Sequence, residues 1–485
     1  MQDGALHSVF VPQIHLPIGR TPSAQCPALR ATFRPTRRSR QPLAIRGCLF
    51  GASCGVVCRR WYRRKKPSSL QSKKSREELM QPRNAESRYW KWKEGITVHY
   101  AKAELKIPSD IAVVLLHGFG VASFHYESQF LPLSEAGYTV YAMDNVGAGL
   151  SWPDVDPAPR GPEELRETPG SQWGFGRQAA EGFETMVIGE SLWVQQIASF
   201  IAEKVEEPKV ILAGNSLGGY LAVLATALMS EAKVAKSKNE SVERIKGVAL
   251  INATPFWGWI PSKLKNPSLY ETFPWKGVLP IPESVRNFAL NWYNTLRNPD
   301  SIEWLLNFVT SNPAGVGHEL PLRIASMADH PAGAAAFAQI IFTPQADLTF
   351  DEALDRVVEN QIPTLLLYGR EDPWIVPYWA ARAFKRAIRA RKGAADYLQL
   401  SPSGHCPHFE TPKTVNACLL RWLHRNFPRD LAALPQELPA SIGDSFVVRE
   451  DDAREISVTR RGLPEPFRDG EIVWDDLPAW VQSLF

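Results

Sequence analysis

The chain has 485 residues, 44% hydrophobic and 10% aromatic, enough to bury a large core and still carry appendages. Its formal net charge of +4 is unevenly spread, because residues 1–76 hold sixteen basic residues against one acid, Asp3, and the remainder carries a net charge of −11. That acidic body argues against nucleic-acid binding, and with Cys26, Cys48, Cys54 and Cys58 confined to the first segment, only Cys406 and Cys418 remain, too few for a disulfide scaffold.

The first segment includes Arg34-Pro-Thr-Arg-Arg-Ser-Arg40 and Arg59-Arg-Trp-Tyr-Arg-Arg-Lys-Lys66. An Arg- and Ser-rich, acid-poor start has the composition of an organelle transit peptide. The competing reading is a basic tail that touches nucleic acid or anionic lipid. Cys48 to Cys58 is apolar but too short to cross a bilayer, and its cysteine spacings, without nearby histidines, do not suit zinc. No metal site is expected.

From about residue 90, apolar runs alternate with longer helical patterns: Ile111–Leu116, Thr139–Met143, Val210–Ala213, Gly247–Ile251 and Thr364–Tyr368. Continuous Val/Ile/Leu strands separated by helices predict a parallel sheet covered on both faces. Immediately after the third run comes Gly214-Asn-Ser-Leu-Gly218, followed by an Ala/Leu-rich helix. Gly-x-Ser-x-Gly between a strand and a helix is a nucleophile elbow, a strained turn that lifts the hydroxyl of Ser216 above the sheet.

A serine hydroxyl needs a histidine to take its proton and an acid to orient that histidine, here expected in the order Ser, acid, His. Asp372, in Tyr368-Gly-Arg-Glu-Asp-Pro-Trp374, is the candidate acid, with Glu371 as its local competitor. His405, directly after Gly404, is the candidate base, with His408 as its rival. Negative charge on a carbonyl oxygen calls for N–H donors, expected from Leu217 and from Phe119 in the His117-Gly-Phe-Gly120 loop. His117 itself reads as structural. Asp144-Asn-Val-Gly-Ala-Gly-Leu-Ser151 is glycine-rich but lacks the Gly-Lys-Ser/Thr ending of a phosphate loop, and reads as a structural turn.

In this order and spacing the motifs resemble the α/β-hydrolase superfamily over roughly residues 90–428. The resemblance implies an α/β fold with a mostly parallel central sheet flanked by helices, and an inserted helical cap at about 252–355, where over a hundred residues separate two strands. Asn252-Ala-Thr-Pro-Phe-Trp-Gly258 further resembles the pheophytinase family, as do Ser123-Phe-His-Tyr126, Trp173-Gly-Phe-Gly176, His330-Pro-Ala332 and Gly404-His-Cys-Pro-His408. That resemblance implies a chloroplast enzyme of the stroma, in transient contact with thylakoid membrane or with other chlorophyll-breakdown enzymes. It implies hydrolysis of a hydrophobic tetrapyrrole phytyl ester, pheophytin, through Ser216, His405 and Asp372, with no metal or organic cofactor.

A flat macrocycle with a C20 chain calls for an apolar, aromatic pocket, and Ser123, His125, Tyr126, Phe256 and Trp257 are the expected substrate contacts. Three alternatives remain open: a dephytylase acting on magnesium-containing chlorophyll, a generic lipid or acyl-ester hydrolase or acyltransferase, and a catalytically silent small-molecule receptor. Residues 154–172 and 231–244 read as inserted surface loops. The acidic extension 429–485 matches nothing familiar and reads as a largely unstructured tail with a short helix near its end.

Overall fold

Ile111–Leu116 has no polar side chain, so the segment must be covered on both faces. The computed structural model covers it in that way. It describes residues 75–103, 109–167, 172–234, 244–389, 395–428 and 443–462. The chain divides into two units, Met1–Arg63 and Arg64–Phe485; the first, and with it most of the expected transit peptide, lies outside the described residues.

The sheet contains β1 (Glu86–Lys93), β2 (Ile96–Ala103), β3 (Ile111–Leu116), β4 (Thr139–Met143), β5 (Trp152–Pro153), β6 (Lys209–Asn215), β7 (Ile245–Ile251), β8 (Thr364–Gly369), β9 (Ala395–Ser401), β10 (Ser445–Arg449) and β11 (Glu455–Arg460). Their order is β1-β2-β4-β3-β6-β7-β8-β9-β11-β10, with β5 beside β2. Strands β4, β3, β6, β7, β8 and β9 run parallel, and the edges are antiparallel. The chain winds from β3 outward to β4 and then returns to β6 on the other side. In open α/β sheets ligands bind at such a reversal, outside the carboxyl ends of the strands.

Successive side chains of a strand alternate between faces, and the core divides accordingly. Ala112, Val114 and Leu116 pack with Leu212, Leu250 and Leu366 under the helices Glu190–Glu203, Leu217–Val234 and Pro377–Arg389. Ile111, Val113 and Leu115 pack with Ile211, Leu365 and Trp422 under Glu127–Glu135 and Pro412–Asn426.

Between β7 and β8 the helices Pro267–Thr272, Glu283–Leu296, Pro299–Val309, Glu319–Ala328 and Gly333–Ile341 form the insertion. The next helix, Phe350–Glu359, starts inside the range 252–355 but belongs to the sheet layer, not to the cap. Phe350, Ala353, Leu354, Val357 and Val358 recur at helical spacing on one face and join the main core, with the helix lying on Leu217–Val234.

Both ends of the hydrolase region differ from the sequence expectation. The boundary at residue 76 cuts a folded element, because Ser75 caps the helix Arg76–Met80 in a reciprocal capping box with Glu78. Leu79 and Met80 are buried with Val121, Phe124, Leu320 and Met327. Arg323 of the cap donates to the carbonyls of Leu79 (2.6 Å) and Gln81 (2.9 Å) and to Glu127. This segment therefore straps the cap helix Glu319–Ala328 to the loop after β3.

At the other end the acidic extension is not wholly unstructured. Residues 445–460 form a hairpin, β10 with β11, and β11 adds antiparallel to the edge of β9. Ile456 and Val458 are fully buried against the second core face. Two alternating apolar residues gain meaning as a strand only beside the unpaired edge of β9.

Fully burying a Leu or Met side chain contributes about 1.5–3 kcal/mol. Protein beginning at Ser75 is expected to be more stable than protein beginning at Asn84, which lacks Leu79 and Met80, by roughly 5 °C in thermal melting. Equal melting temperatures would show the strap to be dispensable.

Candidate active site

Ser216 is the single residue between the end of β6 and the start of the helix Leu217–Val234, and its φ is +53°. Its N–H donates to Ile251 O (3.0 Å), and its carbonyl accepts from the N–H of Tyr220 (3.2 Å) and Thr254 (3.1 Å). A non-glycine residue rarely adopts this left-handed backbone, and its cost is met by these bonds. The flanking glycines allow the turn. An ideal Cβ on Gly218 would lie 1.9 Å from Leu116 O, and one on Gly214 would lie 2.2 Å from the carbonyl carbon of Gly218.

The parallel register sets Leu116 beside Gly214, so the His117–Gly120 loop leaves the sheet next to the serine. An ideal Cβ on Gly118 would be 3.3 Å from Ser216 Cβ. His117 Nδ1 donates to Gly118 O (2.8 Å) and its Nε2 accepts from Asn145 N (3.0 Å). That pattern requires a neutral ring, and burial lowers its pKa. Leu217 is buried at the first position of the helix, whereas the ring of Phe119 is exposed and lies 5.4 Å from that of Trp257.

Asp372 follows the end of β8 and His405 the end of β9, in loops that converge at the same edge. His405 Nδ1 is 2.7 Å from Asp372 Oδ2. Asp372 is buried, its Oδ2 also accepting from Asn252 Nδ2 (2.7 Å) and its Oδ1 from the N–H of Trp374 (2.7 Å) and Ile375 (3.0 Å). Burial opposes the carboxylate charge, but His405 and the N–H donors outweigh it, and the pKa lies below the ordinary value.

The rivals are occupied elsewhere. Glu371 is exposed and accepts from Ser401 Oγ (2.7 Å) and Ser403 N (2.8 Å). His408 is buried 3.0 Å from His125, ring nitrogen to ring nitrogen, and its pKa is driven well below the usual value by burial first and by His125 second.

Of the five expected substrate contacts, three lie inside the fold. Tyr126 is fully buried, its hydroxyl donating to Leu116 O (2.8 Å) and accepting from Asn215 N (2.9 Å), so it braces the ends of β3 and β6 rather than facing a ligand. Ser123 is buried with its N–H on Asp144 Oδ1 (2.7 Å), and His125 is buried against His408. Phe256 is exposed and Trp257 half-buried at the mouth of the cap. The Asp144–Ser151 turn closes on its own aspartate, whose Oδ2 takes Leu150 N (2.9 Å) and His99 Nδ1 (2.8 Å). Among the described residues no cluster of His, Cys, Asp or Glu could hold a metal ion.

An α/β sheet with these groups at its carboxyl edge is matched by one family model, described as "Alpha/beta hydrolase family", over residues 113–418. The chain belongs to the alpha/beta hydrolase family. The hydrolase is 38% identical over 349 residues to the chloroplastic pheophytinase of Arabidopsis thaliana, covering 71% of this chain and 67% of that one. It is thus a pheophytinase-like hydrolase. Similar solved structures include a thermophilic esterase from Thermogutta terrifontis (16% identity, 70% of this chain and 98% of that one, TM-score 0.43). An enol-lactonase from Burkholderia xenovorans gives 16% identity, 69% and 99% coverage and a TM-score of 0.44.

Two further buried polar residues are given no role by the motifs. Asn252, at φ +44°, holds Asp372 with its amide and accepts from Gly369 N (3.0 Å) with its oxygen. Its signal was an asparagine directly after a strand, where a left-handed turn favours that residue. Glu190 is buried, with Oε2 accepting from Tyr220 Oη (2.8 Å) and Ala346 N (2.8 Å). Nothing in its local sequence, Gly189-Glu190 at a helix start, separates it from an exposed first-turn acid.

Burial pushes the Glu190 carboxyl up to about 8 despite those two donors, whereas unfolded chains release that proton near about 4.3. The folded state thus binds the extra proton between these values, and stability falls as pH rises through that window, by at most about 1.4 kcal/mol per unit. Thermal melts of Glu190→Gln against the parent, from pH 4 to 9, are expected to lie closest at the acidic end and to favour the variant increasingly up to about pH 8. Parallel curves would exclude a neutral buried Glu190.

Proposed function

We propose that this hydrolase removes phytol from pheophytin, releasing pheophorbide, as a serine carboxylic ester hydrolase of the chloroplast. The observation that carries the substrate is the 38% identity, over 71% of the chain, to a pheophytinase. The chemistry is supported by Ser216 at its strained turn and by His405 Nδ1 at 2.7 Å from Asp372.

In this reading Ser216 Oγ attacks the ester carbonyl while His405 Nε2 takes its proton, and Asp372 keeps Nδ1 protonated and stabilises the imidazolium. The oxyanion that forms is met by the N–H groups of Leu217 and Phe119. The carbonyl then re-forms, the bond to the phytyl oxygen breaks, and His405 returns the proton to phytol. Water, deprotonated by His405, next attacks the acyl-enzyme; the bond to Ser216 Oγ breaks, His405 returns the proton to that oxygen, and pheophorbide leaves as the free acid.

A hydrophobic ester also calls for apolar surface beside the serine. The ring of Phe119 lies near those of Trp257 and Phe337, Phe337 is edge-on to Trp292, and Trp292 is tilted against Trp259 and Phe288. These rings extend from the Phe119 loop to exposed cap residues, Trp259 and Phe288 among them. Among the described residues no helix is long and apolar enough to cross a membrane. We infer that contact with thylakoid membrane is transient and made through exposed cap aromatics; unchanged recovery in the supernatant with and without pigment-bearing membranes would refute it.

Protein retaining Ser75 onward, assayed with pheophytin, chlorophyll and a short p-nitrophenyl ester, is expected to release pheophorbide, and Ser216→Ala to abolish that release. Asp372→Asn, which favours the wrong imidazole tautomer, is expected to lower kcat by about 10⁴-fold. Cleavage of chlorophyll alone would mark a chlorophyll dephytylase, cleavage of the short ester alone a general acyl-ester hydrolase, and no cleavage at all a receptor.

A further inference from the structure

We propose that Glu410 is a positioning residue for His405, a strut that sets the histidine loop against the cap; this rests on the serine hydrolase reading above. Glu410 is buried and lies five residues after His405, on the short helix Pro407–Glu410. One carboxylate oxygen, Oε2, accepts from the N–H of Gly404 (2.8 Å), the residue immediately before His405. The other, Oε1, accepts from the N–H of Ser311 (2.7 Å), the N–H of Asn312 (3.0 Å) and the hydroxyl of Ser311. Ser311 and Asn312 follow Thr310, the residue that caps the end of the cap helix Pro299–Val309.

The two backbones also meet without an intervening side chain. His405 N donates to Val309 O (2.8 Å), and an ideal Cβ on Gly404 would fall 2.3 Å from that same oxygen and 2.8 Å from Glu410 Oε2. On its other side the carbonyl of His405 accepts from Asn215 Nδ2 (2.9 Å), the residue preceding Ser216. The main chain of His405 is thereby stretched between the elbow and the cap, and Glu410 is the polar side chain that fixes the cap end.

The chemistry requires a carboxylate. Four donors converge on two oxygens, and a carboxylate accepts on both, whereas an amide turns an NH₂ group toward one of the two sides. Glutamine would hold either the loop or the cap. A loop released by even a fraction of an ångström moves Nε2 relative to Ser216 Oγ, and misplacement of that kind lowers turnover more than substrate binding.

The C-terminal hairpin reaches the same place by a different route. Arg454 Nη2 donates to the backbone carbonyl of Glu410 (2.6 Å), while its Nη1 stays 3.9 Å from Oε1. Arg454 therefore pairs with the carboxylate by charge without hydrogen-bonding to it, and its alanine variant removes that charge and the hairpin contact while leaving all four donors in place, which makes it the matching control.

The test compares Glu410→Gln, Arg454→Ala and Ser216→Ala with the parent protein by steady-state hydrolysis of a short soluble p-nitrophenyl ester, with thermal melts of each. Glu410→Gln is expected to lower kcat by about 10- to 100-fold with KM within about twofold, while Arg454→Ala lowers the melting temperature and leaves kcat within about twofold. An unchanged kcat in Glu410→Gln overturns the proposal, as does a kcat loss that Arg454→Ala reproduces at an equal loss of melting temperature. If the parent and Ser216→Ala cleave the ester alike, the serine reading itself has failed and the positioning role falls with it; an active parent, a dead Ser216→Ala and an unaffected Glu410→Gln remove only the role of Glu410.

Discussion

The close approach of two backbones, Gly218 against the carbonyl of Leu116, is the constraint on which the site depends. It brings the first turn of the helix after β6 onto the end of β3, and only a residue without a side chain fits there. From that contact follow the left-handed Ser216, the adjacency of the His117–Gly120 loop, and the brace in which Tyr126 ties the ends of β3 and β6. The parallel register then aligns the ends of β7, β8 and β9 along the same edge, so that Asn252, Asp372 and His405 arrive together from distant positions in the chain.

Burial makes this arrangement electrostatically demanding. A carboxylate out of water must be met by donors or it takes up a proton. Asp372 is met by Asn252, Trp374, Ile375 and His405, and its pKa is held down. Glu190, with two donors on one oxygen and none on the other, goes the opposite way and is pushed up to about 8. Two buried acids in one hydrolase are thus shifted in opposite directions: His405 and the N–H donors outweigh burial at Asp372, whereas burial outweighs two donors at Glu190.

The chain also fastens its cap at several points remote from the sheet. Arg323 holds the N-terminal strap by two backbone carbonyls, Glu410 joins the cap to the histidine loop, and the C-terminal hairpin adds Arg454 at the same junction. The cap helix Gly333–Ile341 is buried along its length in the main core, and the polar ties add attachment at the helices Pro299–Val309 and Glu319–Ala328. The helix Pro267–Thr272 buries none of its residues and Glu283–Leu296 only Ala289.

What the sequence determined by itself was whatever is encoded locally. Apolar runs marked the parallel strands, Gly-x-Ser-x-Gly marked the elbow, and the residues after β8 and β9 pointed to Asp372 over Glu371 and to His405 over His408. What only the tertiary structure decided was which of each pair meets the other, the burial of Ser123, His125 and Tyr126, the return of residues 445–460 to the edge of β9, and the transfer of Phe350–Glu359 from cap to core. Each of those depends on a partner far away in the chain. A buried side chain or a short amphipathic strand has no local signature when the surface that covers it comes from elsewhere.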